Sequence, residues 1–118
     1  MTRFVQIFFL LAITTSLSAC AISEGMKLAV HCQTDEALAA ISTSEQGSGV
    51  TANLAMLEHE AILRDAGRIE EADAIRAKRE SDPNMTEKEK ADAEKAVMDT
   101  VENLRKEREK QTGSRLCK

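Results

Sequence analysis

The sequence predicts an all-α fold: a small four-helix assembly of two helical hairpins, preceded by an N-terminal leader and a flexible tether. Three observations lead to this prediction. Apolar residues recur at three- and four-residue spacing, which is the period of an amphipathic helix. Glycine and proline divide that pattern into separate stretches. The last stretch begins with a capping box, a sequence signature of a helix N-terminus.

The first helix is predicted over residues 34–45. Thr34 is suited to cap it, because a threonine side chain can accept a hydrogen bond from a free backbone amide of the first turn. Leu38 and Ile41 fall on one face. Residues 46–49 read QGSG, and two glycines in four residues predict a turn there.

The second and third helices are predicted on either side of Gly67. Thr51 is the expected cap of the second, over residues 51–66, and Gly67 stands where a helix normally ends. The third covers residues 68–81. Pro83 closes it, because the proline ring cannot continue a helix.

The fourth helix has the clearest start. Thr86 is followed three residues later by Glu89, so that each side chain can accept a hydrogen bond from the other residue's backbone amide. The helix is expected to run to Thr112, before Gly113. Its apolar stripe consists of Ala93, Val97, Val101 and Leu104.

The first nineteen residues have the organisation of a signal peptide. A short basic end is followed by an apolar stretch from Phe4 to Leu17, which is too short to span a bilayer comfortably. Residues 17–20 then read LSAC. This motif resembles the lipobox of bacterial lipoproteins, with small residues before Cys20 and an aliphatic residue three positions upstream.

The resemblance implies cleavage before Cys20 and acylation of that cysteine. Several acyl chains would make attachment to a membrane effectively permanent. Lipoproteins retained in the inner membrane often carry aspartate after the cysteine, whereas Ala21 stands there in this chain, so the resemblance implies the outer membrane, with the protein facing the periplasm. An ordinary secreted protein or an uncleaved anchor remains the alternative. On this interpretation residues 1–19 are the signal peptide, residues 20–33 the lipidated cysteine and tether, and residues 34–118 the helical domain.

Composition limits the core and the partners. All three phenylalanines lie in the leader, and the chain has no Trp or Tyr, so the core after Cys20 must be aliphatic. The net charge of the whole chain is −4. Phosphate binding requires a basic face, and single-stranded nucleic acid also stacks on aromatic rings, so nucleic acid is not an expected partner.

Two cysteines remain after Cys20, and the periplasm oxidises thiols. We expect a disulfide between Cys32 and Cys117; two free or metal-binding thiols are the alternative. With His31 and His59 these cysteines could supply four metal ligands. Structural zinc sites, however, use closely spaced ligand pairs, and no two of these cysteines are that close. No metal or cofactor is therefore expected.

Residues 55–83 resemble part of a tetratricopeptide-type helical hairpin. Gly67 lies between the helices, an acidic pair precedes Ala72, and Asp82 with Pro83 closes the unit. The large aromatic positions of that repeat are empty here, and stable arrays need about three units where one is visible. A generic helical hairpin is the alternative.

No motif indicates catalysis: a GxSxG motif, a phosphate-binding glycine loop and a dinucleotide fingerprint are all missing from the sequence. We therefore expect a non-enzymatic adaptor, scaffold or assembly factor that binds another envelope protein, with no small-molecule substrate. Its expected contacts are Met56, Met98 and Leu104. A pilotin-like escort of a secretion-system subunit is one alternative. A small ligand-binding or peptidoglycan-contacting envelope protein is another.

Overall fold

A computed structural model of the 118-residue chain describes residues 24–45 and 49–117. This part of the chain is helical and has no strand, which confirms the all-α prediction for it. Residues 24–45 and 49–117 contain five helices, one more than the four that the sequence predicts. The leader and Cys20 lie outside the described residues. The helices are α1 (24–30), α2 (Thr34–Glu45), α3 (Val50–Asp65), α4 (Ile69–Glu80) and α5 (Glu87–Thr112).

The additional helix, α1, occupies part of the predicted tether. Its Ala29 and Val30 are buried in the core. A Cβ atom added to Gly25 would lie 2.5 Å from Cγ2 of Ile41, so the missing side chain allows α1 to approach α2 closely. The structure therefore corrects the tether interpretation for residues 24–30, because their apolar side chains pack against the domain.

The central helix is α3, against which α2, α4 and α5 all pack. Helix α2 runs antiparallel to it. The C-terminal Glu45 of α2 contacts His59 with 2.5 Å between Oε1 and Nδ1, while Asp35 in its first turn accepts a hydrogen bond of 2.7 Å from Arg68, beyond the end of α3. The predicted arrangement of two separate hairpins is therefore replaced by one in which α2, α4 and α5 each pack on the same helix, α3.

Helices α4 and α5 run in opposite directions along α3. Glu60 pairs with Arg79 near the end of α4, whereas Arg64 pairs with Asp73 near its beginning, so α3 and α4 form the predicted hairpin. Helix α5 runs parallel to α3: Leu57 packs in the cluster that includes Val97, and the C-terminal end of α3 contacts the C-terminal half of α5.

The predicted helix ends are close to those observed. The capping box is confirmed: Thr86 Oγ1 accepts from the Glu89 amide at 3.2 Å, and Glu89 Oε2 accepts from the Thr86 amide at 2.7 Å. Gly113 ends α5 with a φ of 79°, a left-handed conformation that favours glycine. Helix α3 begins at Val50, one residue before the expected Thr51 cap, with Gly49 at the cap position.

The core of the described residues is aliphatic, as composition predicted, and two clusters of buried side chains form much of it. The smaller cluster joins α3 to α5 through Ala61, Val97 and Val101. The larger joins all the helices except α4, and its buried members are Ala29, Val30, Ala37, Ile41, Ile62 and Leu104. Helix α4 contributes one buried apolar residue, Ala72. Ion pairs therefore have a large share in its attachment.

Candidate functional site

Cys32 and Cys117 form a disulfide bond, as the cysteine count predicted. Their Sγ atoms are 2.09 Å apart and their Cα atoms 5.6 Å apart. Cys32 follows α1, and Cys117 belongs to the tail after α5, so the bond joins the two ends of the described chain. It thereby links the segment after α1 to the C-terminal tail.

Beside this bond the guanidinium of Arg108 is almost completely enclosed, with 1% of the residue exposed. It donates to both carboxylate oxygens of Asp65, at 3.0 and 2.5 Å. It also donates to the carbonyl oxygens of Ala29 at 2.8 Å, Val30 at 2.9 Å and Arg115 at 2.7 Å. The five N–H groups of an arginine can all be satisfied by such a set, which is what a buried charge requires.

Arg108 therefore connects four parts of the chain: the end of α1, the end of α3, α5 and the C-terminal tail. Sequence analysis missed this residue. A signal was present, because Arg108 lies four positions after Leu104 and so continues the apolar stripe of α5. Arg108 and the disulfide together hold these segments to one another at this end of the protein.

A second group of buried charges lies between α3, α4 and α5. Glu60 is fully buried, with 0% exposure, and accepts hydrogen bonds from Arg64 at 2.8 Å and from Arg79. Arg64 also donates to Asp73 at 2.9 Å. Arg79 reaches Glu94 of α5, with 3.4 Å between Nη2 and Oε2. These pairs hold α4 against the remainder of the domain.

A groove lies next to this group of charges; we call it the Met56 groove. Its volume is about 380 Å³, and it lies between α3, the end of α4, the segment after α4 and the start of α5. Its apolar lining is Met56, Leu57, Met85 and Ala93. Methionine side chains are flexible and polarisable, so such a wall can adapt to different apolar ligands.

The polar lining of the Met56 groove is Asn53, Lys78, Arg79 and Asp82. The Arg79 side chain is 8% exposed. Its Nη1 and Nη2 atoms face Glu60 and Glu94, but its buried Nε has no hydrogen-bond partner within the described residues. A buried donor without an acceptor is uncommon in folded proteins and costs free energy.

The structure separates the three predicted contact residues. Met56 lines the groove just described, whereas Met98, which is 51% exposed, lines a different hollow between α4 and α5. Leu104 is 2% exposed and belongs to the core. The prediction of an exposed contact there is corrected, because Leu104 packs in the larger core cluster with Ala29 and Val30 of α1 and Ile62 of α3.

The histidines and cysteines do not converge. His59 pairs with Glu45, His31 is exposed, and both described cysteines are in the disulfide. Across residues 24–45 and 49–117, no group of three or more metal-ligating side chains is arranged around a common point. These residues therefore give no support for a metal centre.

Glu58 is a partly buried acid of α3. Burial raises the pKa of this carboxyl above its ordinary value. Its Oε2 atom is buried without a hydrogen-bond partner among the residues described. Loss of hydration therefore disfavours the charged form of Glu58.

Within the described part of the chain, each helix is too short or too polar to cross a bilayer. Comparisons with protein families, with curated proteins and with solved structures found no match to this chain. The candidate site is therefore identified from the structure alone. Arg108 and the disulfide crosslink one end of the protein, and an open apolar groove lies at the other end of α3.

Proposed function

We propose that this protein is a lipid-anchored, non-enzymatic adaptor that faces the periplasm and binds another envelope protein in the Met56 groove. The observation that carries the proposal is the groove itself. It presents two methionines and a leucine in an open depression of about 380 Å³, backed by ion pairs that hold its walls together. Grooves of this kind accept apolar segments of a partner protein.

The cellular location is supported by two features. The LSAC motif at Leu17–Cys20 resembles a lipobox, and the bond between Cys32 and Cys117 suits a compartment that oxidises thiols. In this proposal Cys20 carries the acyl chains, and the domain begins at α1, four residues later. Four extended residues reach at most about 14 Å, so the domain stays near the bilayer.

Metabolic labelling tests the anchor. Cells given a palmitate analogue should label the wild-type protein and leave the Cys20→Ser variant unlabelled and in the soluble fraction. A variant with both Cys32→Ser and Cys117→Ser is the matched control and should keep the label. A wild-type protein that takes up no fatty acid would exclude the lipid anchor.

Crosslinking in intact cells tests the groove. A photoreactive amino acid placed at Met85 should capture a discrete envelope protein, while the same amino acid at Met98 should not. Both positions are surface methionines, but Met98 lies outside the groove. Equal capture at the two positions, or capture at Met98 alone, would show that the groove is not the partner site.

A further inference from the structure

We propose that the start of α3 contacts the membrane, and that its exposed side chains Val50 and Leu54 insert into the surface of the lipid bilayer beside the acyl chains of Cys20. We call these two residues the α3 tip. This inference rests on the lipid anchor of the proposed function, and it specifies which surface of the domain meets the membrane.

The α3 tip is apolar and lies in an uncharged part of the chain. Val50 is 84% exposed and Leu54 is 44% exposed, and residues four apart lie on the same face of a helix. The sequence from Gln46 to Leu57 contains no charged residue, and it is the longest such run after Cys20. An exposed apolar surface without charges suits the boundary between lipid head groups and acyl chains, where a charged side chain would lose hydration.

Helix α1 points towards the α3 tip. Its C-terminal end lies beside the end of α3, because Arg108 donates both to Asp65 and to the last carbonyl groups of α1. Its N-terminal end lies beside α2, where a Cβ atom added to Gly25 would be 2.5 Å from Cγ2 of Ile41. Helix α1 therefore runs parallel to α3, and its N-terminal end points towards the start of α3.

The start of α3 projects further in this direction than the connection to the anchor can reach. The contacts at the two ends of α2 place Ile41, and with it the start of α1, at the level of Ile62. Val50 precedes Ile62 by twelve residues, which is about 18 Å of helix. Cys20 precedes α1 by four residues, which reach at most about 14 Å. A domain held to a bilayer by Cys20 therefore brings the start of α3 to the lipid surface.

Leu54 also lies on the side of the domain where α1 is found. Leu54 and Asp65 are about three helical turns apart, so they share nearly the same face of α3. Asp65 is the residue of α3 that Arg108 joins to α1. The exposed apolar side chain and the helix that leads to the anchor are thus on one side of the protein.

Photochemical capture of lipid tests the α3 tip. The acylated protein, purified from membranes with a photoreactive amino acid at Val50, would be reconstituted into vesicles of phosphatidylethanolamine and phosphatidylglycerol. After illumination, mass spectrometry should find a phospholipid adduct at position 50. The matched control carries the same amino acid at Ile69, which is 47% exposed but follows the opposite end of α3, and it should form no such adduct.

A charge at the α3 tip should prevent the contact. Leu54→Asp should lower the yield of adduct at position 50 about tenfold, because a carboxylate at the lipid surface must give up hydration. Leu116→Asp, at a 56% exposed position in the C-terminal tail, should leave the yield unchanged. The comparison of positions 50 and 69 requires neither substitution, so it decides the matter even where Leu54→Asp unfolds the protein.

Two outcomes in acylated protein would overturn the inference and leave the anchor intact: no phospholipid adduct at position 50, or equal adducts at positions 50 and 69. An adduct with a second copy of this chain in place of lipid would assign the α3 tip to self-association and would also overturn it. Mass spectrometry of the same sample reports the acyl group on Cys20. A protein without that group would overturn the anchor and, with it, this inference, so the two failures are distinguishable.

Discussion

Arg108 shows what one side chain contributes when it connects distant parts of the chain. The substitution Arg108→Gln leaves Asp65 as a buried carboxylate without its bidentate partner, and it frees the carbonyls of Ala29 and Val30. Removing one member of a buried pair typically costs about 3–5 kcal/mol. Urea unfolding should show a loss of this size in the free energy of unfolding.

Arg105→Gln is the matched control for that measurement. Arg105 also contacts Asp65, at 3.3 Å, but its side chain is partly exposed to solvent. Exposed ion pairs contribute about 0–1 kcal/mol, so this variant should remain close to the wild type. Similar losses in the two variants would mean that Arg108 does not have the special role assigned to it here.

Glu58 should make stability depend on pH in a defined direction. Burial raises its pKa in the folded state above the ordinary value of 4.5, so the folded protein binds this proton more tightly than the unfolded chain. Ionised Glu58 lowers the free energy of unfolding. This loss is fully present above the pKa of the folded state and disappears as the pH falls through that pKa towards 4.5. Lowering the pH across this window therefore relieves it.

The variant Glu58→Gln should consequently be more stable than the wild type at pH 7, and the difference should shrink as the pH falls towards 4.5. Chemical unfolding at a series of pH values measures it. Glu70→Gln, at an exposed position in the first turn of α4, is the control and should show no such narrowing. A constant difference across the range would contradict the assignment to Glu58.

Among the helices, α5 shows how short sequence motifs determine where a helix begins and ends. Its capping box satisfies two backbone amides that have no partner within the helix. Replacing Thr86 with alanine removes the side-chain acceptor at 3.2 Å from the Glu89 amide and should cost about 1 kcal/mol of stability. Urea unfolding measures this loss directly.

Thr100→Ala provides the comparison within the same helix. The Thr100 hydroxyl donates to the carbonyl of Ala96 in mid-helix, where alanine is a better helix former. The free energy of unfolding of Thr100→Ala should stay within about 0.5 kcal/mol of the wild-type value, as is usual for surface substitutions. A loss as large as that of Thr86→Ala would indicate that capping is not the cause.

At the scale of the whole molecule, the disulfide constrains most of the domain. The bonded cysteines are 85 residues apart, and closing a loop of this length restricts the unfolded chain by roughly 4 to 5 kcal/mol. Small domains have total stabilities of about 5–15 kcal/mol, so this bond contributes a large fraction. Reductant should therefore lower the thermal unfolding midpoint sharply.

The variant with both Cys32→Ser and Cys117→Ser should have the thermal unfolding midpoint of the reduced wild type, whether or not reductant is added. Mass spectrometry under non-reducing conditions should find no free thiol at these two positions of the native protein. Reactive thiols there, or a midpoint that reductant leaves unchanged, would exclude the structural role of the bond.

Local features of the sequence determined helices α2 to α5. Capping residues, glycines and Pro83 act over a few neighbouring positions, and the predicted ranges agree with α2 to α5 to within one or two residues. The cysteine count determined the disulfide partner of Cys32, since Cys20 was assigned to lipid and Cys117 was the one remaining. These inferences needed no knowledge of how the helices meet.

Only the tertiary structure decided which faces of the helices are buried. Residues 24–30 appeared to be a tether and Leu104 an exposed contact, but each buries the other's apolar surface when α1 meets α5. In the same way, only the packing of α3 against α4 encloses Arg79 and Glu60 beside the Met56 groove. The physical reason is that helix formation depends on near neighbours, whereas burial depends on contacts between residues far apart in the chain.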